Sequence, residues 1–403
     1  MTTIKERIEQ YKEQFLEEVI TIRRQLHQHP ELSFNEHQTS ATIRELLDRW
    51  KVSYTFPFVQ TGILASIGKR GKNRPVIALR TDMDALPVKE ETGLEFASVN
   101  EGVMHACGHD IHMASMLGTV RILKEMEEEL PGEVLVIFQP GEEKLPGGAK
   151  LMLEEGLFDS VKPDMIIAQH VLPEMEAGTV GFRPGKYMAS SDEIYITVKG
   201  KGGHAALPEN IHDPVLMASH ILISLQQEIN RRSPKGVPTV LSFGKIVADG
   251  AMNVIPGEVR LEGTFRTMNE EWRKKAHRLI RKIAGGIAEG MGGSIELEVR
   301  NGYPALINDE DLTMKAKTVA TEMLGSDKVE NMDIRMTAED FAWFANAYPA
   351  MMYRLGVKSP GADTIHPLHT PAFRADEKAL ATGMSLMAFL AIELLQERSA
   401  TSG

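Results

Sequence analysis

Apolar and polar residues follow two different periods along the N-terminal half of the chain. Over residues 5–27 apolar residues recur every three to four positions, which predicts an amphipathic helix, and a second helix is predicted near 37–50. Four short apolar runs follow at 62–68, 75–81, 133–140 and 164–171, with helices predicted near 110–128 and 147–155. Because continuous apolar runs bounded by turn residues are typical of strands buried on both faces, this half predicts a layered α/β sheet.

The pattern changes near Pro184-Gly185. The predicted order is then strand 192–199, helix 212–232, strands 237–247 and 257–267, helix 269–290 and strand 294–300. This βαββαβ order can form a compact α+β unit by itself. Apolar runs return at 350–357, and a helix is predicted at 376–396. The predicted fold class is therefore α/β with two domains: a discontinuous layered α/β domain of residues 1–186 and 301–403, and an inserted α+β domain of residues 187–300.

Composition and charge narrow the classes of function. A chain of 403 residues is longer than one hydrophobic core usually accommodates, so two domains are expected. The content of 42% hydrophobic and 25% charged residues is typical of a globular protein. A net charge of −11 argues against partners such as nucleic acids or anionic membranes, which need a basic surface. A single cysteine excludes intrachain disulfides. With no signal peptide or run of 18 apolar residues recognised, we expect a soluble cytoplasmic protein.

Histidines gather where this sheet would bind ligands. His105, His109 and His112 lie in MHACGHDIH, His170 ends the run IIAQH, and His369 lies in IHPLHTP. Thiolate and imidazole are good ligands for a borderline-soft metal, and Gly108 would let Cys107 and His109 face one point. Two other interpretations stay open at this motif: a buried cysteine beside surface histidines, and a cysteine nucleophile with a histidine base.

Acidic residues follow two of the apolar runs. Glu142 and Glu143 come after VIFQPG, so that one could bind a metal while its neighbour transfers protons, unless they form a solvated acidic turn. Asp82 and Asp84 could bind a metal, orient a ligating histidine, or form a turn before Pro87. Five donors would suit a pair of metal ions with added water: Cys107, His109, Glu143, His170 and His369.

The motifs RTDMDALP, MHACGHDIHMA, FQPGEE, KGKGGHAALP, NVIP and LHTPAF resemble those of the M20 metallopeptidases and amidohydrolases. The match is best with the branch of N-acyl-amino-acid hydrolases, and it extends from about Arg23 to Leu394. The resemblance implies a catalytic α/β domain with two divalent metal ions per subunit, and an inserted lid that forms a homodimer or a higher oligomer. Zinc, manganese and cobalt are the candidate metals.

The resemblance also implies roles for individual residues. Cys107 would bridge the metals, with His109, Glu143, His170 and His369 completing the ligand set. Glu142 would be the general base and acid. His204 would be the lid histidine that contacts the substrate, although its glycine-rich surroundings alone favour a surface loop. Asn253 and Arg266 match lid positions that bind substrate.

Three positions depart from the wider family. Arg80 stands where the broad pattern has the histidine of His-x-Asp, Cys107 replaces an aspartate, and Lys144-Leu145-Pro146 interrupts a glycine-rich stretch. The expected activity is metal-dependent hydrolysis of N-acyl-L-amino acids, with a dimetal dipeptidase or aminopeptidase as the alternative. A cysteine hydrolase and a metal-binding protein without catalysis are the other rivals.

Overall fold

The computed structural model describes residues 2–71 and 74–401. Within these ranges the α-helices are α1 Ile4–Gln28, α2 His37–Arg49, α3 His109–Glu125, α4 Gly148–Glu154, α5 Pro214–Arg232, α6 Glu270–Gly290, α7 Glu310–Leu324, α8 Ala342–Ala347 and α9 Lys378–Thr401. The strands are β1 Ser53–Phe58, β2 Gly62–Gly68, β3 Val76–Asp82, β4 Glu133–Gln139, β5 Met165–Glu176, β6 Val180–Phe182, β7 Gly185–Met188, β8 Asp192–Lys199, β9 Gly203–His204, β10 Thr239–Val247, β11 Val254–Ile255, β12 Glu258–Thr267, β13 Ser294–Asn301, β14 Leu306–Asn308, β15 Val329–Asn331 and β16 Ala350–Lys358.

The chain divides into two units. The first comprises Met1–Gly185, Ile307–Asp333 and Asp340–Gly403, and the second Lys186–Leu306 and Ile334–Glu339. The insertion was predicted to end at residue 300, and no sequence pattern assigned residues 334–339 to it. In the structure residues 334–339 join the second unit through their backbone. The N–H of Arg335 donates to the carbonyl oxygen of Tyr187 at 2.9 Å.

A mixed sheet of eight strands forms the first unit, in the order β1-β2-β4-β3-β5-β16-β6-β15. At its centre β3 runs parallel to β4 and β5, and β5 runs parallel to β16. All seven residues of β4 are buried, as expected for a strand covered on both faces. The fold class predicted from the apolar runs, α/β with an inserted α+β segment, is confirmed.

Helices cover this sheet with apolar faces. α1 buries Phe15, Val19 and Leu26, and it begins with a capping box in which the side chain of Thr3 accepts from the N–H of Glu6. The stretch Lys378–Ala400 of α9 is long and apolar enough to cross a membrane, but 78% of its most apolar 18 residues are buried inside the structure. Since α9 packs on α1, α3 and α7, a place in the core explains its composition.

The second unit is a four-stranded antiparallel sheet with two helices. The sheet order is β10-β12-β8-β13, and β8 alternates buried and half-buried residues along its length. α5 and α6 pack against the sheet through a separate core that includes Ile196, Ile221 and Ile280. The short strands β9 and β11 pair beside it. The lid and dimerisation roles expected of this segment stay predictions.

Candidate metal centre

Two strands of the first unit end where the predicted ligands gather. β3 ends at Asp82 and the parallel β4 ends at Gln139, so the turn that carries Glu142 and Glu143 follows directly at the same edge of the sheet. His170 lies elsewhere in its strand than expected. The prediction that it ends the strand IIAQH is wrong, because β5 continues past it to Glu176 while pairing with β16.

Gly108 shapes the segment that carries Cys107 and His109. It precedes α3 and has a φ of 81°, in the left-handed region that favours glycine. An added Cβ there would lie 2.6 Å from a methyl group of Val171. The Sγ atom of Cys107 lies 3.5 Å from Nε2 of His170 and 3.3 Å from Nε2 of His369.

The five predicted ligands form one cluster. Oε1 of Glu143 lies 3.2 Å from Nε2 of His369 and 3.9 Å from Nε2 of His109. Of the five groups of donors within the described residues whose ligand atoms all lie within 4.8 Å of one another, three consist only of predicted ligands and Glu142: Cys107, His109 and His170; Cys107, Glu143 and His369; and His109, Glu142 and Glu143. The structure thus brings together donors that are up to 262 residues apart in the chain.

Unpaired atoms and excess negative charge show that this cluster fits a cation. Nε2 of His109 and Oε1 of Glu143 are buried without a hydrogen-bond partner among the described residues. Although burial lowers the pKa of His109, the carboxylates of Asp82 and Asp84 raise it to about 10. The imidazole is therefore held as a cation by surrounding carboxylates, and a metal ion would supply the same positive charge.

The surroundings of Cys107 disfavour a cysteine nucleophile. Burial, together with the carboxylates of Glu143 and Glu142, raises the pKa of the Cys107 thiol well above its ordinary value. A reactive cysteine needs the opposite shift, because the thiolate is the nucleophile. A metal ion would deprotonate the same sulfur, so these surroundings agree with a ligand.

Asp84 orients two of the candidate ligands. Its backbone carbonyl oxygen lies 2.8 Å from Nδ1 of His109, which leaves Nε2 as the atom directed at the cluster. Oδ2 of Asp84 accepts from the N–H of Glu143 at 2.9 Å and from Oγ of Ser33 at 2.6 Å. Oδ1 of Asp84 also lies 3.3 Å from Nδ1 of His109, so of the interpretations left open for Asp84 the geometry favours a residue that orients ligands through both its backbone and its carboxylate.

Asp82 belongs to a buried polar network beside the cluster. Its carboxylate lies 2.7 Å from Nδ1 of His112, whose Nε2 accepts the N–H of Val171 at 2.9 Å. His112 therefore uses both ring nitrogens. Arg80 donates to Asp82 at 2.7 Å and to Asp340 at 2.8 Å, and all three side chains are buried. This guanidinium pairs with both carboxylates and offsets part of their buried negative charge.

Glu142 lies next to the cluster and is 6% exposed. One of its oxygens is within 4.8 Å of the donor atoms of His109 and Glu143. Its Oε1 also accepts from the N–H of Asp340 at 3.4 Å. A carboxylate in this position can exchange a proton with a group held at the cluster.

Three predicted site residues belong to the second unit. His204 in β9 is exposed and pairs with Val254 of β11, while the carbonyl oxygen of Asn253 accepts from the N–H of Ala205 at 3.0 Å. His204 and Asn253 are therefore neighbours. Arg266 lies in β12 and donates to the carbonyl oxygen of Met336 at 3.1 Å, and burial lowers its pKa.

Several site residues gave no usable signal in the sequence. Ser33 and Glu36 lie between α1 and α2, and Asp340 lies far along the chain, yet each hydrogen-bonds to the loops of the cluster. Only the folded chain brings them there. Conversely, His105 shares a motif with His109, but both of its buried ring nitrogens have no hydrogen-bond partner among the described residues.

Known proteins are similar to this chain in sequence and in fold. Residues 78–393 match peptidase family M20/M25/M40. N-acetylcysteine deacetylase of Bacillus subtilis is 38% identical over 379 residues, which cover 94% of this chain and 97% of that protein. N-acyl-L-amino acid amidohydrolase of Geobacillus stearothermophilus is 39% identical over 307 residues, covering 76% of this chain and 82% of that protein.

A solved structure agrees over nearly the whole length. It is that of a dinuclear metal binding peptidase from the M20 family of Bacillus subtilis, with 35% identity and a TM-score of 0.80, and it covers 95% of this chain and 99% of that chain. The chain belongs to peptidase family M20/M25/M40, and it is a hydrolase of that family. The resemblance inferred from the motifs is confirmed.

Proposed function

We propose that the protein hydrolyses the amide bond of N-acyl-L-amino acids, releasing a carboxylate and a free amino acid. The observation that carries the proposal is the cluster of five donors, of which Cys107, His109 and His170 are buried, with the buried Glu142 beside it. The names of the two relatives, a deacetylase and an N-acyl-L-amino acid amidohydrolase, support the substrate class.

Two divalent metal ions per subunit fit this cluster. Their ligands would be Cys107, His109, Glu143, His170 and His369. Such ions supply Lewis acidity, which polarises a carbonyl group and makes water a stronger acid. Sulfur and imidazole favour zinc, whereas the carboxylate also suits manganese or cobalt. The solved relative described as dinuclear supports the number of ions.

Glu142 is the proposed general base and acid. It accepts a proton from the attacking water as the carbonyl carbon becomes tetrahedral, and it then donates that proton to the nitrogen of the leaving amino acid. Its burial supports this role, because a carboxylate shielded from bulk water exchanges protons with the reacting groups rather than with solvent. Glu143, its neighbour, is committed to the ligand set.

The second unit is proposed to contribute to substrate binding and assembly. His204 would stabilise the negative charge that develops on the carbonyl oxygen, and Asn253 and Arg266 would bind the substrate. The hydrogen bond between the segments of His204 and Asn253 supports a common role for these two. We further propose that the protein is a cytoplasmic homodimer joined through this unit. Sedimentation of the purified protein tests the oligomeric state.

A substrate panel tests the activity. The metal-loaded protein is assayed with acetyl, benzoyl and longer acyl amino acids against dipeptides that have a free N-terminus. Turnover of acyl amino acids supports the proposal, whereas turnover of dipeptides alone favours the related dipeptidase or aminopeptidase. The same assay is repeated with a chelator and with an alkylating reagent, since a cysteine hydrolase would resist the chelator.

A further inference from the structure

Buried carboxylates from distant parts of the chain hold the loop that carries Glu142. Oε1 of Glu36 accepts from the N–H of Gly141 at 2.8 Å, and Oδ2 of Asp84 accepts from the N–H of Glu143 at 2.9 Å. Oδ2 of Asp340 accepts from the N–H of Ala149 at 3.0 Å. The backbone on either side of Glu142 is therefore held by hydrogen bonds to buried acidic side chains.

Glu36 has a position that would usually cap a helix, but its side chain is used elsewhere. It precedes α2 and makes no capping hydrogen bond with that helix. Glu31 does so instead, since its carboxylate accepts from the N–H groups of Gln38 and Thr39. The fully buried carboxylate of Glu36 is thereby available to the Gly141 turn.

Two more hydrogen bonds fix the carboxylate of Glu36. Oε1 also accepts from the N–H of Phe34 at 2.9 Å, and Oε2 accepts from Oγ1 of Thr61 at 2.8 Å. The ring of Phe34 lies directly against Gly141, where an added Cβ would come within 2.3 Å of it. Gly141 itself has a φ of 61°, in the left-handed region that favours glycine. Both this conformation and the contact with Phe34 therefore require a residue without a side chain.

We infer that Glu36 is a positioning residue for Glu142, acting through the N–H of Gly141. Gly141 directly precedes Glu142, so a change in its backbone angles would redirect the Glu142 carboxylate. The catalytic meaning of this contact rests on the function proposed above. The contact itself belongs to the fold and can be measured without substrate or metal.

Two substitutions separate reach from charge. Glu36→Gln keeps the length of the side chain: its oxygen can accept from Gly141 and Phe34, and its amide can donate to Thr61, whose hydroxyl rotates. Glu36→Asp keeps the charge but is one methylene shorter, so it cannot span the same partners. Glu31→Asp is the matched control, because it shortens a carboxylate that caps α2 and does not hydrogen-bond to the Gly141 turn.

Hydrogen exchange of the metal-free protein and kinetics of the loaded enzyme test the inference. Glu36→Asp should speed exchange in the peptide covering residues 140–149 and lower kcat by about tenfold or more, with KM and metal content close to wild type. Glu36→Gln should stay within about threefold of wild type in both measurements, because its oxygen still accepts from Gly141. Glu31→Asp should leave exchange in this peptide unchanged.

Different results would contradict the role of Glu36 and the proposed hydrolase activity. Wild-type exchange at residues 140–149 in Glu36→Asp would overturn the inference, whatever the activity. Impairment of Glu36→Gln with a Glu36→Asp variant close to wild type would also overturn it, since charge rather than reach would then matter. A wild-type protein with no turnover of acyl amino acids would reject the proposed function, while the exchange data would still decide whether Glu36 holds the turn.

Discussion

The backbone carbonyl oxygen of Asp84 lies 2.8 Å from Nδ1 of His109, on the side of the imidazole that faces away from the donor cluster. The protonated Nδ1 donates to it, and Nε2 is left as the atom available to a metal ion. Because the acceptor belongs to the main chain, no side-chain substitution at residue 84 removes it. The tautomer of His109 is therefore set by the loop after β3.

Cys107→Ala should bind much less metal than wild type. The sulfur lies within hydrogen-bond distance of two other candidate ligands, His170 and His369, so its removal takes the central donor from the cluster. Elemental analysis of the purified variant is the measurement. Cys107→Asp, which restores the aspartate of the wider family, should recover metal binding, and full metal content in Cys107→Ala would contradict the assignment.

Glu142→Gln should bind metal normally and lose nearly all turnover. Removal of a general base and acid typically lowers the rate by about 10²–10⁴. Steady-state kinetics and elemental analysis are performed on the same preparation. An active Glu142→Gln enzyme would exclude Glu142 from proton transfer, whereas a loss of metal would move it into the ligand set.

Arg80→Met should strongly destabilise the first unit. It leaves the buried carboxylates of Asp82 and Asp340 without their shared guanidinium, and breaking such a buried pair costs about 3–5 kcal/mol. Denaturant unfolding with a chelator present measures the loss. Arg49→Met is the control, since its exposed pair with Glu18 at 3.9 Å should contribute less than about 1 kcal/mol. Equal effects would refute the importance of the network.

Glu36→Gln should also change how stability depends on pH. Burial, and then the negative charge of Asp84, raises the pKa of Glu36 from an ordinary 4.5 to about 7. The folded state therefore keeps its proton over a range where the unfolded chain has released it, so wild-type stability falls as pH rises from 4.5 through 7. The loss is about 3 kcal/mol in the free energy of unfolding.

The glutamine variant lacks this proton and should lack this part of the loss. Unfolding of the two metal-free proteins is compared at pH 5 and pH 8, and the variant should gain stability relative to wild type at the higher pH. Parallel pH curves for the two proteins would mean that Glu36 does not titrate in this range.

His204→Ala should lower kcat/KM without changing metal content. Its imidazole is exposed and belongs to the second unit, whereas the five candidate ligands belong to the first. Loss of a group that stabilises developing charge typically lowers the rate by about 10²–10³. His220→Ala, an exposed histidine on α5, is the control in the same assay. Unchanged kinetics in His204→Ala would remove it from the site.

Elements with a strong local pattern could be predicted from the sequence. The apolar run of β4 and the helical period of α1 are properties of consecutive residues, and the structure has both. β1 was not predicted, because it contains Pro57 and none of its residues is buried. α7 likewise lacked a prediction, although Asp309 caps it by accepting from the N–H of Leu312.

The ligand set could be predicted for a different reason. Metal coordination restricts the residue type, so cysteine, histidine and glutamate at the ends of apolar runs were recognisable without contacts. Hydrogen bonding to a backbone N–H restricts it far less. Glu36 accepts from a residue 105 positions away and Asp340 from one 191 positions away, and nothing local distinguishes them from other acidic residues.

Arg80 supplies a positive charge that is present at every pH at which the protein folds. A guanidinium does not lose its proton at any pH that a protein experiences, so the carboxylates of Asp82 and Asp340 share a permanent positive partner as soon as these residues come together. The positive charge that these two carboxylates need thus comes in part from the chain itself. The charge that Arg80 supplies here does not depend on a metal ion.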